Sequence, residues 1–333
     1  MKIAIVGLGA IGGLLAARLA AAGHTVCALA RGATLTALRE HGVRVRSAGG
    51  AETAQRIAAS DSAAALGPQD LVVIALKGPA LNDVAPTLAP LLGPETLVLP
   101  AMNGVPWWFL AADARATAAA GSAPLASVDP GGRIAAALAL ERVLGCVVHL
   151  TCSSPSPGVV QHGFGERLIV GEPAGDPGAA SVRTRAICAA LAEAGFQAEA
   201  SADIRREVWY KLWGNMTMNP VSALSGALSD AILDDPLVRE FILHTMAEAA
   251  QIGARIGCPI EQSGDARIAV TRQLGGFKTS MLQDTEAGRP IELDALVGAV
   301  HEIGTRLGIA MPNIGALFGL TRLMARRRGL YPA

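Results

Sequence analysis

Lys2-Ile3-Ala4-Ile5-Val6-Gly7-Leu8-Gly9-Ala10-Ile11-Gly12 opens the chain after Met1, and its order of residue types decides the fold. The aliphatic run Ile3 to Val6 reads as a buried strand. The glycine-rich turn after it feeds a helical pattern from Ala10 to Ala22, stopped by Gly23. In this strand-turn-helix setting the GxGxxG spacing gives each glycine a task. Gly7 permits the tight turn, Gly9 lets the backbone approach a pyrophosphate, and Gly12 lets helix and strand pack closely. The helix start supplies unpaired N–H groups for phosphate oxygens. The bland alternative is the same turn without a ligand; the preceding strand favours nucleotide binding. Gly7, Leu8, Gly9, Ala10, Ile11 and Gly12 are therefore candidate cofactor contacts.

The end of the second strand, Thr25 to Ala30, tells which dinucleotide fits. A site for NAD places an acidic residue there against the ribose 2′-hydroxyl. This chain has Arg31-Gly32 instead, and its first acid comes only at Glu40. A guanidinium at Arg31 suits a 2′-phosphate, so NADP(H) is expected.

Working outward, strand-like runs at Val43 to Arg46, Leu71 to Ala75 and Thr96 to Leu99 alternate with helical patterns, among them Pro79 to Leu91. This is the signature of a Rossmann-type, doubly wound α/β sheet. Further strand-like pieces at Val143 to His149, Val159 to Gln161 and Leu168 to Val170, with a helix near Ser181 to Ala194, are expected to extend that sheet. From about Asp203 onward strand signals vanish. The pattern from Pro236 to Ile256 has Asp235 before its first-turn proline, Gly257 at its end and Pro259 beyond. The expectation is an N-terminal NADP-binding domain over residues 1–200 and an all-α domain over 201–333, with a ligand cleft between them.

Composition narrows the functional class. The 333 residues carry 28 basic and 28 acidic side chains, so no basic stripe is available for nucleic acid or an acidic lipid surface. A 51% hydrophobic content and a mean hydropathy of +0.39 raise the question of a membrane span. The uncharged runs Leu212 to Ser229 and Val143 to Gly165 contain Asn, Ser, His and Pro, and neither suits a hydrocarbon slab. Lys2 with the uncharged stretch behind it imitates a signal peptide, but the glycines at 7, 9, 12 and 13 suit a turn better. Five cysteines without a CxxC pair fit neither a disulfide framework nor a zinc site, so a reduced, cytoplasmic protein with no metal is expected.

Only four of the 28 basic residues are lysines: Lys2, Lys77, Lys211 and Lys278. Lys211, Asn215 and Asn219 recur at helical spacing, which stacks a cation and two carboxamides on one helix face. The surrounding segment is uncharged and rich in Trp and Met, so the stripe reads as facing a ligand rather than solvent. Pro220 is expected to kink or end that helix. A second polar cluster comprises Ser280 to Asp284, then Glu292 and Asp294, with Glu292 between apolar neighbours. A carboxylate there needs a cation partner or exposure.

Taken together, these strings resemble the ketopantoate reductase family over nearly the whole chain. The matching elements are the glycine motif with Arg31, Ala75-Leu76-Lys77, Asn103-Gly104, Glu207-Val208-Trp209-Tyr210-Lys211 with Asn215 and Asn219-Pro220, and Ser280 to Asp284 with Glu292. The resemblance implies NADPH-dependent reduction of a 2-oxo acid. It assigns the catalytic lysine to Lys211 and the catalytic acid to Glu292, which also borders the cofactor. Substrate contacts fall to Lys211, Asn215, Asn219 and Ser280; cofactor contacts fall to Lys77 and Asn103. An ammonium group can stabilise charge on the reduced ketone oxygen and donate its proton, whereas a guanidinium holds its proton too tightly. The chain departs from the family at Ala80 and Ser229, and in a long segment after Asn103 that includes Trp107 and Trp108. Tryptophans lining the site would allow a bulkier 2-oxo acid; interdomain packing is the equal alternative. A non-catalytic NADP-binding sensor is a further reading, disfavoured by the retained Lys211 and Glu292. The apolar helices of the second half suggest a homodimer surface.

Overall fold

The computed structural model describes residues 1–47, 49–175 and 180–332. In chain order the first elements are β1 (Lys2–Val6), α1 (Ala10–Ala21), β2 (Thr25–Leu29), α2 (Gly32–His41), β3 (Val43–Arg46), β4 (Glu52–Gln55) and β5 (Ala58–Ser60). Next come α3 (Ala63–Leu66), β6 (Gln69–Ile74), α4 (Gly78–Val84), β7 (Leu92–Pro100), α5 (Ala114–Ala120), α6 (Arg133–Ala137), β8 (Gly145–His149), β9 (Cys152–Ser156), β10 (Val159–His162) and β11 (Arg167–Gly171). The chain ends with α7 (Val182–Glu193), β12 (Gln197–Ser201), α8 (Ile204–Ser225), α9 (Ser229–Asp234), α10 (Pro236–Arg255), α11 (Gly264–Arg272), α12 (Ser280–Glu286), α13 (Ala299–Arg306) and α14 (Pro312–Arg327). Two compact units result. The first contains residues 1–102 and 132–207, the second residues 103–131 and 208–333.

The first unit is built on a five-stranded parallel sheet with strand order β5-β2-β1-β6-β7. The order reverses between β1 and β6, so the loops leaving those strands, Gly7 to Gly9 and Ala75 to Lys77, flank the switch point where such sheets bind ligands. Ile3, Ile5, Leu71, Val73, Leu14 and Leu19 form its dry centre. A Cβ on Gly12 would lie 1.9 Å from the Gly7 carbonyl oxygen, and one on Gly13 would lie 2.5 Å from Val160 Cγ2. The paired glycines therefore let α1 press against the parallel sheet on one side and β10 on the other.

The later strands do not extend this sheet as expected. β3 leaves it to pair with β4 and β10, giving a four-stranded sheet of order β4-β3-β10-β9, and β5 is the strand beside β2. β8, β11 and β12 form a third sheet, linked to β7 by a single bridge between Val98 and Val143. Hydrophobic periodicity identifies a strand but not its partner, and one core spans all three sheets. The expected helix from Pro79 to Leu91 is also shorter: α4 ends at Val84, and Pro86 and Pro90 restrict residues 85–91 to short 3₁₀ turns.

The second unit contains only helices and turns among its described residues. Its centre is aromatic. Phe109 stacks on Trp209 with centroids 5.8 Å apart, and Trp213 donates to the Met246 carbonyl at 2.7 Å. A Cβ on Gly253 would fall 2.2 Å from Trp209 Nε1, so this glycine lets α10 close on α8. Asp235 caps α10 as anticipated, accepting from the Leu237 and Val238 N–H groups at 3.0 Å. Glu248 caps α14 from outside that helix, accepting from the N–H groups of Asn313 and Ile314 and from the Asn313 carboxamide. Among the described residues no helix is long and apolar enough to cross a membrane.

Candidate functional site

The first unit provides a fitting cradle for a dinucleotide. Gly7 has φ +96°, and a Cβ there would strike Leu76 and the Ala75 carbonyl, so only glycine suits the turn. Gly9 is the N-cap of α1; a Cβ on it would meet nothing within 4 Å, leaving open space over this backbone. The helix start carries no capping side chain and no acid in its first turn, which suits an anion. Arg31 is exposed at the N-cap of α2, directly after β2, and half-buried Lys77 is the N-cap of α4, after β6.

The second unit holds the chemistry-bearing stripe. α8 continues through Pro220 as one 22-residue helix, so the expected break at that proline does not occur. Proline removes one backbone N–H, and the buried packing of Met216, Thr217, Met218 and Ser222 holds the helix across the gap. Lys211, Asn215 and Asn219 consequently keep one face. Lys211 and Asn215 are half-buried, and Asn219 is 6% exposed.

Lys211 Nζ donates to Asn103 Oδ1 at 2.8 Å, joining residues 108 positions apart. The loop carrying Asn103 is fixed by an unusual helical turn. Residues 294–298 form a π turn, in which the Ala299 N–H bonds to the Asp294 carbonyl rather than to that of Ala295. The Ala295 carbonyl thereby accepts from the Val105 N–H at 2.8 Å. Gly104, at φ +85°, makes this approach possible, since a Cβ there would lie 2.4 Å from the Ala295 oxygen. Glu292 is half-buried and just precedes this turn. Tyr331 donates to Asp294 Oδ1 at 2.5 Å, and the Ile291 N–H donates to the Leu330 carbonyl at 3.1 Å. Burial pushes the Asp294 carboxyl up, against the lowering effect of the Tyr331 hydrogen bond and the positive charges of Arg322 and Arg326.

Of the expected site residues, Lys211 and Asn103 thus meet directly. Ser280 is exposed as the first residue of α12, whose cap is Thr279. Lys278 forms an exposed ion pair with Glu286 at 2.8 Å. Ser229, where the family pattern has Asn, is a buried tie: its Oγ donates to the Gly275 carbonyl and accepts from the Phe277 N–H, both at 2.9 Å. Trp107, Trp108, Trp209 and Trp213 are all at most 7% exposed and belong to the core. Asp294 stands in the second polar cluster of the sequence, but its partners Leu330 and Tyr331 carry no sequence signal. The chain-terminal position of Tyr331 offers no periodic or motif signal.

Comparison with known proteins agrees with this architecture. Residues 3–175 match the family model described as ketopantoate reductase PanE/ApbA, and residues 203–325 match its C-terminal counterpart. The 2-dehydropantoate 2-reductase of Mesorhizobium japonicum is 42% identical over 99% of this chain and 100% of its own. A crystal structure of a protein assigned as a ketopantoate reductase from Ralstonia solanacearum MolK2 superposes with a TM-score of 0.94 at 57% identity, covering 99% of both chains. A dimeric ketopantoate reductase from Staphylococcus aureus shares the fold at 18% identity, with a TM-score of 0.74 over 99% of this chain and 100% of its own. With both family models covering most of its length, the chain belongs to the ketopantoate reductase family.

Proposed function

We propose that the protein is an NADPH-dependent oxidoreductase that reduces a 2-oxo acid to a 2-hydroxy acid, with 2-dehydropantoate (ketopantoate) as substrate and (R)-pantoate as product. The observation that carries this reading is the 2.8 Å hydrogen bond from Lys211 to Asn103, in a chain whose relatives bear the name of that reaction. A carboxamide orients the ammonium and itself adds no counter-charge, which suits a group that is to meet a developing alkoxide.

The pyrophosphate would rest on the Gly7 to Gly12 turn, with Arg31 against the 2′-phosphate and Lys77, Asn103 and Glu292 along the nicotinamide half. Bound NADPH supplies the hydride that arrives at C2 of the 2-oxo acid. Lys211 then stabilises the negative charge on the former ketone oxygen and transfers its Nζ proton there, and solvent restores the proton afterwards. Asn215, Asn219 and Ser280 hold the substrate carboxylate and hydroxyl groups with neutral donors, which adds no charge to compete with Lys211. Glu292 orients a substrate or ribose hydroxyl. In this reading residues 1–200 hold most of the cofactor, residues 201–333 hold the substrate and catalytic groups and lend Glu292 to the nicotinamide half, and the enzyme works in the cytoplasm as a homodimer. The dimer draws support from the S. aureus relative and from Leu320 and Leu323, which α14 leaves about 60% exposed.

The buried tryptophans remove the reason to enlarge the substrate. Following NADPH absorbance with ketopantoate and a panel of other 2-oxo acids, for wild type and Lys211→Ala, tests the assignment. Turnover of ketopantoate that collapses in the variant is expected. Nucleotide binding without turnover of any 2-oxo acid would sink it.

A further inference from the structure

Glu292 lies one residue before the helical turn that begins at Leu293 and joins it only through its carbonyl, which accepts from the Leu296 N–H at 3.3 Å. The C-terminal tail holds its two flanks. On one side the Ile291 N–H donates to the Leu330 carbonyl at 3.1 Å; on the other the Tyr331 hydroxyl donates to Asp294 Oδ1 at 2.5 Å. The tail is itself anchored. Leu330 is 2% exposed and its N–H returns to the Ala325 carbonyl at 2.8 Å. The Arg326 guanidinium lies over the Tyr331 ring, 5.7 Å from its centroid, and its Nε donates to the Pro332 carbonyl at 3.1 Å. Two clamps therefore bracket Glu292 at positions 291 and 294, and both come from the last residues of the chain.

We propose that Tyr331 is a positioning residue for the reduction: by anchoring Asp294, its hydroxyl sets where Glu292 presents its carboxylate. The proposal rests on the reading that Lys211 and Glu292 serve the reaction. Tyr331 need touch neither substrate nor cofactor. Its effect passes along the backbone from 294 to 292, and the π turn makes that backbone responsive, because a turn already departing from α geometry has fewer alternatives that keep its bonds.

The test measures kcat and KM for Tyr331→Phe and Asp294→Asn in wild-type and Glu292→Gln backgrounds. Loss of the hydroxyl should lower kcat/KM roughly fivefold to twentyfold, while Asp294→Asn, which keeps an acceptor oxygen, should lower it by less than about threefold. In the Glu292→Gln background, Tyr331→Phe should add less than about twofold, since a residue acting through Glu292 has nothing left to position. Equal losses in both backgrounds would mark a merely structural role and overturn the proposal, as would a Tyr331→Phe enzyme indistinguishable from wild type. Lys211→Ala separates the two levels. If it retains wild-type turnover, the underlying reading falls and the proposal with it; if it is inactive while Tyr331→Phe is unaffected, only the role of the tail is refuted.

Discussion

The Lys211 ammonium and the Asn103 carboxamide oxygen, 2.8 Å apart, are held together by two devices distant in sequence: the α8 stripe and the latch of residues 103–105 onto Ala295. Replacing Asn103 with Ala removes an acceptor from a charged donor, a change of about 1.5–3 kcal/mol. A roughly tenfold to hundredfold loss in kcat/KM for ketopantoate is expected. Unchanged steady-state kinetics would show that Asn103 does not orient the lysine.

Lys211→Arg separates charge from proton donation. Arginine keeps the cation but not a proton that can be given up near neutral pH, so kcat should fall by roughly 10²–10⁴. Substrate affinity should fall much less. A variant that retains most of the wild-type kcat would show that the residue contributes charge alone.

At the nucleotide end, Arg31 follows β2 as an exposed N-cap residue with no acid before Glu40. Arg31→Ala should weaken NADPH binding about tenfold or more and leave NADH binding within about twofold, the loss expected for one charge-assisted contact to a 2′-phosphate. Titrations by nucleotide fluorescence measure both. Equal losses for the two nucleotides would refute the 2′-phosphate assignment.

Much of the fold was legible because its signals are local. The Gly7 to Gly12 turn, the Thr25 strand and the Asp235 cap each depend on residues within a few positions of one another. The three-residue β5 is too short for a period to show, and β3 bears no mark of which strand it joins. The same distinction governs the candidate site. Lys211, Asn215 and Asn219 could be grouped by helical spacing alone, Glu292 stood out between apolar neighbours, and the family resemblance supplied its role and Asn103. The bond from Lys211 to Asn103 and that from Tyr331 to Asp294 are tertiary, and the latter lies at a chain end without periodicity. Pro220 shows the limit of a local rule, since a buried helix tolerates what an isolated one would not.

Gly104 combines a positive φ with a carbonyl where its Cβ would be. Gly104→Ala incurs both the left-handed backbone penalty and displacement of the Ala295 turn, together about 2–4 kcal/mol. All four tryptophans lie in the second unit, so intrinsic fluorescence during denaturation follows that unit. The variant should unfold at lower denaturant by this signal and lose activity with it. Wild-type stability would show that the 103–105 loop moves aside freely.

Glu302 makes acid stability of the second unit a readable quantity. Burial alone would raise its carboxyl, but hydrogen bonds from Ser127 and Ala126 and the Arg306 guanidinium hold it below the ordinary carboxylate range. A folded-state pKa below the unfolded one gives stability that is fully present above the unfolded value and is lost as pH falls through the folded value. Glu302→Gln should therefore lower the tryptophan-monitored denaturation midpoint at about pH 7, and the gap from wild type should narrow as pH drops below about 4.5. The sign comes from protonation, since a protonated Glu302 and a glutamine are both neutral and form a similar, weaker bond to the 126–127 backbone. A gap that stays constant, or widens, across that acid range would show that the ionised carboxylate is not what secures residues 123–127 to α13.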